Sequence, residues 1–87
     1  MSTLGMYSER QQRILVAWIK YNFIPTKSLN YRLDLDDIKL YFEKDPNGFP
    51  LTAEAFIEAM KAAGFRTWLE DSDYCKFNIS KKSPAFL

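Results

Sequence analysis

Histidine is missing from this 87-residue chain, and cysteine occurs once, as Cys75. Without histidine there is no imidazole to act as a base or proton shuttle near neutral pH. A single thiol can neither close an internal disulfide nor build a cysteine-rich zinc site, and it fits a reducing compartment. Glycine is scarce: Gly5, Gly48 and Gly64 stand far apart, which excludes a glycine-rich phosphate loop. No apolar run approaches the ~20 residues that span a bilayer. Met1-Ser2-Thr3-Leu4-Gly5 also lacks the charged-then-apolar plan of a signal peptide. Strong charge of either sign is absent as well: the net is +1, without the global basic signature common among nucleic-acid binders. These absences set an expectation of a soluble, cytoplasmic protein that holds no metal or cofactor, stays out of membranes and is not an enzyme.

What is present is apolar and aromatic. Apolar residues make up 47% of the chain, and 16% is Phe, Tyr or Trp. A single domain of this length buries only about 60–65% of its unfolded surface, so it needs a dense core or a partner. Charge is uneven along the chain. Residues 1–30 carry +3, residues 31–63 carry −3 and residues 64–87 carry +1, so both ends are basic and the middle is acidic.

Local signals divide the chain into elements. Ser8-Glu9-Arg10-Gln11 has the form of a capping box. The helix it opens places Ile14, Leu15, Trp18 and Ile19 on one stripe, and Pro25 stops it. Thr26 to Asn30 reads as a polar connection, followed by a short strand over Leu29-Asn30-Tyr31-Arg32-Leu33. Asp34-Leu35-Asp36-Asp37 opens a second helix, acidic at its start as the macrodipole prefers. Its buried line is Leu35, Ile38 and Phe42, with Tyr41 on the same side. Asp45-Pro46-Asn47-Gly48 closes it as a turn in which Asn or Gly takes the left-handed conformation. Thr52 caps a third helix, which turns Phe56, Ile57, Ala59, Met60 and Ala63 inward and ends at Gly64. Phe65–Leu69 and Tyr74–Ile79 read as two strands joined through Glu70-Asp71-Ser72-Asp73.

The expected class is therefore α+β, mainly helical with a small antiparallel sheet, in the order of a winged helix-turn-helix. Residues 1–7 read as a loosely ordered lead-in, 8–80 as the domain, and 81–87 as a basic and then apolar tail.

The stretch Ile38-Lys39-x-x-Phe42-Glu43-Lys44-x-x-x-Gly48-Phe49-x-x-Thr52-x-x-Ala55-Phe56-x-x-Ala59-Met60-x-x-Ala63-Gly64-Phe65, with Phe77-Asn78-Ile79-Ser80, resembles small winged-helix proteins of phages and prophage-like elements. It is also similar to the winged-helix tails of mobile-element primase–helicases. The resemblance covers about half of the chain. Its motifs are core, cap and turn positions, so it implies shape first. What it implies of function is contact with DNA or with a replication complex.

Two functions follow as expectations. The first is an accessory DNA-binding protein that contacts mainly phosphates of double-stranded DNA. Arg66, Lys76, Lys81 and Lys82 lie along the wing and beyond it, and Thr52 and Lys61 lie on the third helix. Phosphate contacts supply affinity without sequence information. The second is a protein-interaction module, directed at a replication or transcription component or a host protein, that uses Glu54, Glu58, Trp68 and Tyr74. It draws on the outward face of the third helix (Glu54, Ala55, Glu58, Lys61, Ala62), whose carboxylates would repel a phosphate-lined groove. Homodimerisation through Phe86 and Leu87, or through the first helix, is compatible with either. Arg10, Arg13 and Lys20 share a polar face of that helix, for which solvation is the ordinary explanation. Cys75 aligns with Phe77 and Ile79 as a buried thiol.

Overall fold

A computed structural model of the chain describes residues 4–30, 34–68 and 75–86, with the backbone alone at Leu29 and Asn30. Helix α1 spans Glu9–Asn22. Its capping box is formed: Ser8 Oγ accepts from the Gln11 amide, and Gln11 Oε1 accepts from the Ser8 amide, both at 3.1 Å. Phe23 turns extended, as expected shortly before Pro25. Leu15 and Ile19 are buried, with Ile14 and Trp18 packed partly against the core.

Strand β1 covers Pro25–Asn30, where a polar connection was expected; residues 31–33 of the expected strand lie outside the described residues. β1 is an edge strand, and its Pro25, Thr26, Lys27 and Ser28 are all exposed, so neither face of that stretch calls for apolar residues. Its first residue is proline, which an edge tolerates.

Helix α2 spans Leu35–Glu43 and buries Leu35, Ile38 and Phe42 completely. Tyr41 stays 42% exposed and meets the Phe86 ring at 5.4 Å. The turn after α2 departs from expectation in one respect. Gly48 is required for space rather than for a left-handed φ: a Cβ there would sit 2.0 Å from the Phe42 carbonyl oxygen.

Helix α3 spans Ala53–Ala62, with Thr52 Oγ1 accepting from the Ala55 amide at 3.2 Å. Gly64 ends it at φ 96°, a left-handed conformation suited to glycine. α3 packs against α1, α2 and the N-terminal turn, and it buries Ala55, Phe56, Ile57, Ala59 and Met60.

Strands β2 (Thr67–Trp68) and β3 (Lys76–Ile79) are shorter than the segments expected, and residues 69–74 lie outside the described residues. The sheet is antiparallel with order β1-β3-β2. Pro25 pairs with Ile79 and Asn30 with Phe77, so β1 advances five residues while β3 advances two. The buried Asn78 amide stitches this irregularity. Its Oδ1 accepts from the Arg66 amide at 2.7 Å, and its Nδ2 donates to the Thr26 carbonyl at 2.9 Å.

Both chain ends pack down. Leu4–Met6 forms a 3-10 turn; Leu4 is buried and its amide donates to Glu58 Oε2 at 2.9 Å. Within the expected lead-in, Leu4 and Tyr7 pack against the core; residues 1–3 lie outside the described residues. Pro84–Phe86 forms a second 3-10 turn whose Phe86 ring lies 5.8 Å from that of Phe23. The expected tail is docked there, and Phe86 meets rings of its own chain; Leu87 lies outside the described residues. Between the layers Trp18 sits edge-on to Phe23 and Phe42, at 5.2 and 5.3 Å. The fold is α+β, and the described residues form three α-helices and a three-stranded antiparallel sheet. Among the described residues no helix is long and apolar enough to cross a membrane.

Asn78→Ala leaves the part-buried Arg66 amide and Thr26 carbonyl without their partner, and urea titration should show a loss of about 1–3 kcal/mol. Gly48→Ala should cost a similar ~1–3 kcal/mol through overpacking against the backbone.

Candidate nucleic-acid interface

The third helix carries Thr52 and Lys61 as expected DNA contacts, and the packing gives it other tasks. Ala55, expected outward, is fully buried. Glu58 holds the Leu4 amide, so the N-terminal turn sits beside the very stripe that a groove would have to meet. Thr52 keeps an exposed position, but its amide donates to Tyr7 Oη at 3.1 Å and its hydroxyl caps Ala55. The helix terminus therefore offers no Thr52 amide to a phosphate. Lys61 is exposed in the last turn, the negative end of the helix dipole, and Glu54 is exposed in the first.

Lys76 is also committed. Its ammonium pairs with the Asp34 carboxylate, and its side chain is only 12% exposed. The same contact explains why Asp34, at the N-cap of α2, makes no side-chain cap bond. Asp36 and Asp37 remain exposed in the first turn of that helix. Trp68 is 49% exposed on β2, opposite Lys76, and Tyr74 lies outside the described residues.

The remaining expected cations are brought together. Arg66 precedes β2, and its Nη2 donates to the Lys27 carbonyl on β1 at 2.7 Å. Lys81 and Lys82 occupy the turn after β3. Both sides of that turn are clasped to Ile24. The Ser80 amide donates to the Ile24 carbonyl at 2.7 Å, and the Ile24 amide donates to Ser83 Oγ at 2.8 Å. Ser83 is fully buried, and its hydroxyl donates a hydrogen bond to the Ser80 carbonyl at 2.7 Å.

Lys27, Arg66, Lys81 and Lys82 are thus exposed at the end of the sheet where β3 finishes and β2 begins. The described ion pairs join Arg13 to Glu9, Lys39 to Glu43 and Lys76 to Asp34, and none engages these four. Charge is segregated by topology: β1 lies beside β3 and the C-terminal turn lies on α1, which folds the two basic ends of the chain together. Lys27 had not been singled out as a site residue. Its only signal in the sequence was membership of the basic first segment. Among the described residues no group of acidic, Cys or His side chains could hold a metal ion.

Comparison with family models, with curated proteins and with solved structures finds no match for the chain.

The Asp34–Lys76 pair has one half-exposed partner, which limits its worth. A double-mutant cycle with Asp34→Asn and Lys76→Met, read by urea unfolding, should give a coupling of about 0.2–1 kcal/mol. Added salt should reduce it.

Proposed function

We propose that this chain is a winged-helix accessory protein, of the kind carried by phages and mobile elements, that binds DNA through its phosphates. The order α1-β1-α2-α3-β2-β3 with sheet order β1-β3-β2 follows the winged-helix plan and supports that reading of the fold. The observation that carries the function is the cluster of Lys27, Arg66, Lys81 and Lys82, exposed at one end of the sheet and engaged by no described carboxylate. Four cations along a strand end and a turn can each meet a phosphate oxygen, and such contacts do not depend on base sequence. The contact surface is then the base of the sheet, not the outward face of α3 with Glu54 and Glu58.

The protein-interaction reading draws on one specific feature, the half-exposed Trp68, whose partner across the sheet is Lys76, itself paired with Asp34 at the start of α2. It predicts that Trp68→Ala damages function, whereas the DNA reading leaves that variant binding normally.

Fluorescence anisotropy of a labelled random-sequence duplex is the test. Three to four phosphate contacts give a log–log salt slope of roughly −3 to −4. The double variant Lys81→Glu/Lys82→Glu should abolish binding, while Lys76→Met should leave the affinity within about twofold, since surface changes away from a contact are nearly neutral. Absence of salt-sensitive binding at low ionic strength, to the duplex and to single-stranded DNA alike, would remove the proposal and move the function to a protein partner.

A further inference from the structure

Tyr21 lies in the last turn of α1, and 80% of its surface is exposed. Lys20, also exposed, precedes it. Three residues further on stands Ile24, exposed at 46%, whose amide and carbonyl clasp the Lys81-Lys82 turn from both sides. Three residues of chain reach at most about 10 Å, so the Tyr21 backbone lies within that distance of Ile24, the residue that holds the basic turn. An aromatic ring with lysines around it is the arrangement by which single strands are held: bases stack on the ring, and cations take the flanking phosphates.

We infer that the nucleic acid taken by this surface is single-stranded, with Tyr21 as the platform on which a base stacks. The inference rests on the phosphate-binding reading above and deepens it. In an intact duplex both faces of every base are covered by its neighbours, so a ring projecting from a helix end meets only edges and backbone. The element that would read those edges, α3, presents Glu54 and carries the N-terminal turn on Glu58. A single strand exposes its base faces and is flexible enough to follow a folded surface. It can place a base on Tyr21 while its phosphates pass Lys20, Lys81 and Lys82 and continue toward Lys27 and Arg66. The chemistry is shared by single-stranded DNA and RNA, because stacking and phosphate contact do not require the 2′-hydroxyl.

The test compares labelled oligo-dT and oligo-U of about twelve nucleotides, within the span common for such sites, with a duplex of equal length, by anisotropy at low salt. At least one single strand should bind more tightly than the duplex, and the tighter of the two identifies the source. Tyr21→Ala should weaken single-strand binding by roughly 5- to 100-fold and leave duplex binding unchanged, whereas Tyr21→Phe should keep the affinity. The site is exposed, and circular dichroism checks that both variants fold. If Tyr21→Ala leaves single-strand affinity unchanged, or if the duplex binds more tightly, stacking is overturned. Salt-sensitive binding that is still lost in Lys81→Glu/Lys82→Glu would then leave the phosphate reading standing. If no strand binds at low salt, both fall.

Discussion

The buried side-chain amide of Asn78 is the interaction on which the sheet and its basic end depend. β1 takes five residues to pass two of β3, so the backbone ladder cannot be regular between them. Backbone groups left unpaired in a buried place cost more than a formed hydrogen bond returns. Asn78 supplies one acceptor toward Arg66 and one donor toward Thr26, and thereby joins all three strands through one residue. Arg66 and Lys27 come into contact because those two bonds fix the backbones that carry them. An aspartate could not donate, and a leucine could do neither.

The helices pack around α3, and this explains its modest outward face. A helix that meets two others and a terminal turn spends most of its circumference on packing. Ala55 and Ala59 allow that close approach, and Phe56 and Met60 fill the space between layers. Phe56 also meets Phe77 of the sheet at 6.2 Å, nearly perpendicular, which couples helix and sheet. The segment before α3 is tied to α2 in turn: the Leu51 amide donates to Glu43 Oε2, and Lys39 Nζ donates to the Leu51 carbonyl. α3 is a structural hub, and the exposed cations of the candidate site lie away from it, at the end of the sheet.

How much of this was legible in the sequence follows from the range of each interaction. Ser8 with Gln11, Thr52 with Ala55, and Gly64 after α3 act within a few residues, so their types and spacing carried the caps. The buried lines of α1 and α2 were legible from periodicity. β1 was legible only at its end: Leu29 and Asn30 belong to the expected short strand, whereas Pro25, Thr26, Lys27 and Ser28 acquire their conformation from β3 and not from their own composition. The site was harder still. Lys27 meets Arg66 across 39 residues, Asp34 meets Lys76 across 42, and Tyr7 meets Thr52 across 45. Residue type showed that these groups were charged or polar. Only the fold decided that Lys76 and Thr52 would be occupied and that Lys27 would join Arg66.

The position of β3 in the sheet has a consequence for how the molecule comes into being. β3 is the middle strand but the last of the three in chain order, and β1 and β2 do not pair with each other. On a ribosome the three helices emerge and can gather their apolar faces while both outer strands wait without a partner. Sheet formation then awaits one late segment, and the contacts it closes are far apart in the chain, the kind that forms slowly. The basic end of the sheet exists only after that step. A nascent chain therefore carries a helical core before it carries the surface that could hold a polyanion.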